Sequence, residues 1–327
     1  MRTVLITTIA ASVLSIFAGC ESISSANKKL LSVDFQKGQT LRYKFTSARD
    51  IDIDWGEPSK NFPNADKKQK TDSVKETSEI VMAYSPVDID PYGLTTIKAT
   101  CESVMAERRS FTGRQDDRRD ALESLLGKSY TFKIGPDGKI RDYSELDKMA
   151  KQMGQNAFRP NSNIKEADMI DDFITAQWFL WDSIASIPNA AEGVAAGQTW
   201  KSKLLVPTPM LLRKARAVTY KLDKIRQDEN GTVAVIKSSY VLSETTPTGW
   251  HLPYSGSFRM SGVFGFLINY KALDLEGEGE EIFNIDAGRT EQYSQKYQMH
   301  LEASLILPIG STPKLTIKQE LTAKLVE

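Results

Sequence analysis

From residue 293 to residue 307 the chain alternates without a break. Tyr293, Gln295, Tyr297, Met299, Leu301, Ala303, Leu305 and Leu307 share one parity, while Ser294, Lys296, Gln298, His300, Glu302 and Ser304 share the other. A period of two places successive side chains on opposite faces of a strand. The run is roughly three times the ordinary strand of about five residues. Such a length constrains the fold to a large, curved antiparallel sheet with one wet face. Leu315, Ile317, Leu321, Ala323 and Leu325 repeat the pattern against Thr316, Lys318, Glu320, Thr322 and Lys324, and the charged row discourages edge pairing. Phe258, Met260, Phe264, Phe266, Ile268 and Tyr270 alternate as well. Val263 and Leu267 on the opposite parity predict a strand covered on both faces near its middle.

The first half carries the same signal in shorter pieces. After Gly38-Gln39-Thr40, Leu41, Tyr43 and Phe45 alternate with Arg42 and Lys44. Residues 50–72 switch to Asp, Lys, Asn and Pro and predict a long exposed loop. Strand character returns over 79–84, a turn region follows over 86–93, and a strand over 94–105 includes Cys101 in a small apolar row. Residues 116–126 have helical spacing and stop at Gly127. The strand over 130–134 runs into Gly135-Pro136-Asp137-Gly138 and leaves through Lys139-Ile140, a hairpin signal. Ser144 with Glu145 and Asp147 opens an amphipathic helix to about residue 153. Residues 165–186 form the most apolar stretch of the mature chain: Met169, Ile170, Phe173, Ile174, Trp178, Phe179, Trp181 and Ile184 recur at three-and-four spacing, predicting a helix whose tryptophans bury against the sheet. The fold class expected is α+β, β-rich, with one or more curved antiparallel sheets and a few helices on one face.

After Pro188 the plan repeats. Gly197-Gln198-Thr199-Trp200 echoes Gly38-Gln39-Thr40-Leu41, residues 231–238 echo 93–99, and residues 282–288 echo 131–138, at offsets of 159, 138 and 151. The matches occur in one order, which predicts an internal two-fold repeat: a first β-rich unit with helices over 31–187 and a second over 188–327, packed as one body.

The N-terminus sets an address. Arg2 precedes an uncharged, mostly apolar run over residues 4–18, which ends Ser15-Ile16-Phe17-Ala18-Gly19-Cys20. This layout is that of a secretory signal, too short for a span needing about 20 residues. Its close resembles the bacterial lipobox, in which small residues precede a cysteine that is lipidated and becomes the mature N-terminus. Ala18 and Gly19 match that motif, whereas Ile16 and Phe17 depart from its commoner leucine; an ordinary secretory signal cut near Ala18 is the alternative. The resemblance implies a signal peptide over 1–19, lipidation of Cys20, a polar tether over 20–30 and a body held at a membrane by its lipid. Glu21 replaces the aspartate that retains some lipoproteins at the inner membrane, so the resemblance implies the outer membrane, facing the periplasm.

Charge and motifs narrow the chemistry. Only Arg2 is charged within residues 1–19, so the mature chain carries 41 basic residues (42 less Arg2) against 42 acidic ones. Near neutrality excludes a broad field for nucleic acid. With Cys20 lipidated, Cys101 has no cysteine left to pair with. His251 follows Trp250 in a Pro-rich turn and His300 lies on a polar parity; both read as solvated. No Gly-x-Ser-x-Gly, His-Glu-x-x-His, phosphate-binding glycine loop or Cys-x-x-Cys occurs, and no enzyme is expected. Asp50, Asp52 and Asp54 stand at every second residue, either along one side of a strand or converging on a calcium ion. The latter would be the chain's sole cofactor.

The lipobox followed by a Gly-Gln-Thr strand resembles uncharacterised bacterial lipoproteins, and a curved sheet with helices against it is similar in outline to periplasmic lipoprotein and lipid carriers. That resemblance implies a greasy groove, with Phe173, Trp178 and Trp181 as its lid or plug and an apolar or envelope ligand. The competing reading is a structural or protein-interaction module of the envelope, in which the same helix completes the core.

Overall fold

In the computed structural model, described for residues 28–56, 71–109, 121–157, 170–205, 215–245, 267–305 and 312–326, the long alternating run becomes a strand of seventeen residues, Arg289–Leu305. Tyr293, Tyr297, Met299, Leu301 and Ala303 are buried, as the parity predicts. Among the described residues eleven strands build one sheet. They are β1 Leu41–Asp54, β2 Thr71–Ile89, β3 Thr95–Arg109, β4 Ser129–Ile134, β5 Ile140–Asp142, β6 Thr199–Leu205, β7 Ala215–Asp228, β8 Gly231–Leu242, β9 Leu267–Asn284, β10 Arg289–Leu305 and β11 Lys314–Leu325. Helices α1 (Ser144–Ala157) and α2 (Ile170–Ala185) lie between β5 and β6, and a 3-10 turn (Ala121–Leu125) precedes β4.

The order across the sheet is β5-β4-β3-β2-β1-β11-β10-β9-β8-β7-β6, and every pair is antiparallel. The first and last of the described strands, β1 and β11, meet at the centre, and β5 and β6, consecutive strands in the chain, supply the edges. In a flat sheet, β4 and β6 would stand nine strand spacings apart, about 43 Å at ~4.8 Å each. Yet Trp181 of α2 packs 5.5 Å, ring to ring, from Phe132 of β4, and the carbonyl of Ser183, two residues on, accepts a 2.8 Å hydrogen bond from the Trp200 indole of β6. A helix is only about 10–12 Å across. The sheet therefore curls around α2, and this explains why the helix is apolar on several sides: Phe173, Phe179, Leu180, Trp181 and Ile184 are all buried.

A strap before β1 closes one end. Leu31, Val33 and Phe35 are buried, Lys29 bridges to Val194, and the amides of Val33 and Asp34 donate to the carbonyls of Pro136 and Gly288. The strap thus ties the β4–β5 turn to the β9–β10 turn.

Several boundaries differ from the sequence expectation. The loop expected over 50–72 begins only after β1 reaches Asp54, because Ile51 and Ile53 continue the buried parity through the aspartates and pair with Ile317 and Leu315. Likewise β2 starts at Thr71 rather than near 79 and runs to Ile89. Of the helix expected over 116–126, the described part is a five-residue 3-10 turn that buries Leu122 and Leu125. The expected strand over 258–270 is described only from Leu267, as the start of β9. Cys20, His251 and residues 258–266 lie outside the described residues.

Candidate functional site

The concave face is mostly apolar, and much of its polar content falls along two cross-strand rows near its middle. One row passes in register through Tyr240 on β8, Gly277 on β9, Tyr297 on β10, Gln319 on β11, Arg49 on β1, Glu76 on β2 and Arg108 on β3. The next holds Tyr220, Ser238, Gly279, Gln295, Leu321 and Ser47. Strand parity forces these side chains inward with the core, so each polar group there must find a partner or remain without one.

On the β1–β3 side the partners are present. Arg49 donates through Nε to Glu76 Oε2 at 2.7 Å, its Nη2 lies 2.5 Å from the same oxygen, and Arg108 Nε donates to Oε1 at 2.7 Å. Burial alone would raise the Glu76 pKa, but the two guanidinium groups hold it below the usual value. Gln319 accepts from the Tyr297 hydroxyl and donates to Ser47 at 2.9 Å. Under α2, Gln177 accepts from the hydroxyls of Tyr84 and Tyr130.

On the β7–β10 side Arg216, 0 % exposed, packs between two rings, with Cζ 4.1 Å from the Phe179 centroid and 4.2 Å from that of Tyr240. Such contacts favour the cation. Its Nη1 donates to Gln295 Oε1 at 2.5 Å, an oxygen that also accepts from the Tyr293 hydroxyl at 2.8 Å. Nε and Nη2 of Arg216 have no partner, nor do Gln295 Nε2 and Glu281 Oε2. Glu281 Oε1 accepts from Thr290 at 2.7 Å. Burial pushes the Glu281 carboxyl up to about 7, against the Ser183 and Thr290 hydroxyls, which favour its charge. Asp182, beside them on α2, accepts from Tyr220 and Ser202 at 2.7 and 2.9 Å.

The crowding is made possible by glycine on β9. A Cβ on Gly279 would stand 2.4 Å from Tyr240 Oη and 2.6 Å from the carbonyl of Ser294; one on Gly277 would stand 2.5 Å from the carbonyl of Lys296. With no side chain on two successive inward positions, Tyr240 lies down across β9 and its ring carries the guanidinium of Arg216.

The residues singled out by sequence fall in several places. Phe173 and Trp181 are buried, and Trp181 sits edge-on to Tyr84. Trp178 is half-buried against Tyr143, 5.2 Å between ring centres. Asp50, Asp52 and Asp54 line the exposed face of β1, opposite Lys318, Thr316 and Lys314, with Lys75 3.5 Å from Asp50. Among the described residues no three acidic, His or Cys side chains are placed to share a metal ion. His300 lies on the wet face, 2.6 Å from Asp274. Cys101 is buried, and burial raises its thiol to about 11, far from a reactive range. Among the described residues no helix is long and apolar enough to cross a membrane.

Arg216, Glu281 and the unpaired face of Gln295 were not anticipated. The usable signal was parity: Arg216 shares the parity of Val218, Tyr220 and Leu222, as Gln295 shares that of Tyr293 and Tyr297.

No protein-family model matches the chain, and no curated protein does. Among solved structures, one of lipovitellin, concerned with lipid-protein interactions, is similar at a TM-score of 0.46 and 9% sequence identity, over 90% of this chain and 26% of that one. The chain thus spans about a quarter of the lipovitellin chain it matches.

Proposed function

We propose that this chain is an envelope lipoprotein, anchored through Cys20 and facing the periplasm, whose curled sheet binds or carries an apolar ligand beneath α2. The observation that supports a ligand, rather than a core completed by the protein itself, is the contrast under the helix. The polar groups named on the β1–β3 side are paired, whereas four buried polar atoms on β7, β9 and β10 are not. A core finished by its own side chains leaves few such atoms, each costing about 1–3 kcal/mol.

Two measurements test the reading. Mass spectrometry of the protein purified from membranes is expected to find a co-purifying lipid in near-stoichiometric amount; a clean protein would assign the body to the structural or protein-interaction class. Replacing Cys20 by Ala is expected to move the protein to the soluble fraction, and retention at the membrane would refute the anchor.

The carrier body is, on the same reading, a diverged duplication. Strands β1 to β5 and β6 to β10 run across the sheet in the same order and the same alternating directions, with β11 between the two sets. Gly38 and Gly197, each one residue before Gln-Thr, have φ of 84° and 85°.

A further inference from the structure

Arg216 offers one complete edge. The guanidinium Nε–H and Nη2–H point the same way, side by side, and form the fork that a planar oxyanion meets with two parallel hydrogen bonds. In this protein those two donors are the ones without partners, while Nη1 is held by Gln295. The Phe179 and Tyr240 rings lie against the ion, and of its five N–H groups only one, on Nη1, has an acceptor. On the opposite side of the ion Gln295, which holds Nη1, keeps its own Nε2 without a partner. The carboxylates of the neighbourhood do not close the edge: Asp182 is taken by Tyr220 and Ser202, Glu281 Oε1 by Thr290, and Glu281 Oε2 makes no hydrogen bond to Arg216. A buried cation with an unmet edge is costly unless an anion completes it. Burial raises the pKa of both Asp182 and Glu281 and so favours their neutral forms; a single negative charge then balances Arg216, and a dianion would overload the site.

We infer that the Nε–Nη2 edge of Arg216 binds the carboxylate of a long-chain monocarboxylic amphiphile, with the acyl chain in the apolar interior beneath α2. The inference rests on the carrier reading above and specifies its ligand.

The test uses the full chain carrying Cys20→Ala, stripped of lipid and titrated calorimetrically with laurate, dodecanol, dodecyl phosphate and inorganic phosphate. Laurate is expected to bind about 10- to 100-fold more tightly than dodecanol, the worth of a charged hydrogen-bond pair. Arg216→Met, checked for native circular dichroism, is expected to erase that difference while dodecanol binding persists. Arg216→Lys, which keeps the charge but loses the fork, is expected to recover only part of it. Equal binding of laurate and dodecanol to the unsubstituted Arg216 protein overturns the head-group assignment and leaves the carrier intact, an arm that needs no folded variant. Tighter binding of dodecyl phosphate than laurate overturns the carboxylate. Binding of inorganic phosphate with no gain from an alkyl chain overturns this inference and the carrier reading together, as does the absence of binding by all four.

Discussion

Two arginines occupy the concave face at similar depth, Arg49 at 2 % exposure and Arg216 at 0 %, and they have been given opposite surroundings. Arg49 shares Glu76 with Arg108 in a buried ion triad. Arg216 has two aromatic rings and one amide oxygen, and no carboxylate within hydrogen-bonding reach. The difference teaches that a charge inside this sheet is not in itself a mark of function. What separates the two is whether the guanidinium edge is already answered by the protein. The first cluster is arranged for stability around a paired charge; the second keeps a donor edge open in the interior.

The comparison can be broken most forcefully by removing each arginine. Arg49→Met strips a buried carboxylate of its main partner and is expected to cost about 3–5 kcal/mol in urea unfolding. Arg216→Met removes a charge that the protein does not pair and is expected to change stability by about 1 kcal/mol or less, or to raise it. Equal losses would abolish the distinction.

The pH response should separate the clusters next. Glu281 has its pKa raised from 4.5 to about 7 by burial. Its contribution is therefore fully present below about pH 4.5 and disappears as pH rises through 7, a change of about 3 kcal/mol from 2.5 pKa units at 1.36 kcal/mol each. Glu76 has the opposite sign: with its pKa lowered, its contribution is present above the ordinary carboxylate range and is lost as pH falls through the folded value. Glu281→Gln is expected to flatten stability between pH 4.5 and 7, and Glu76→Gln to leave that neutral-side slope in place, both read by urea midpoints across pH.

A smaller effect tests the scaffold of the open site. Gly279→Ala would force a methyl against the Tyr240 hydroxyl and the backbone of Ser294, at an expected cost of about 2 kcal/mol. The smallest test concerns the repeat. Gly38 and Gly197 both have open space around an added Cβ and both sit in the left-handed region, so Gly38→Ala and Gly197→Ala are each expected to lose about 1 kcal/mol. Unequal losses would weaken the case for duplication.

Much of the sheet was legible because alternation is a local property. Tyr293 to Ala303 declare the inner face of β10 without reference to any other strand, and Asp137-Gly138 and Ser144 mark a turn and a helix start in the same way. What escaped was set by partners far along the chain. Asp50, Asp52 and Asp54 look like a loop until Ile51 and Ile53 are placed against Ile317 and Leu315. The Glu276 to Glu281 stretch of β9 has poor strand propensity, since its glycines and glutamates suit a loop; it is a strand because β8 and β10 hold it on both sides. The open edge of Arg216 was the least legible feature. Parity could place that side chain inside, but which of its five N–H groups would go unanswered depends on α2, β8 and β10 together.

The meeting of β1 and β11 at the middle of the sheet also dictates when the molecule can mature. Tyr43 pairs with Leu325, 282 positions later (325 − 43), so the central seam can close only after β11 has been made. Contacts of such separation form slowly. A chain that stopped before Lys314 would expose the fourteen-residue edge of β1 and the seventeen-residue edge of β10, two long unpaired templates for neighbouring chains. The twelve-residue β11 is thus a keystone, and a chain that lacks it is the form in which this protein most needs an escort.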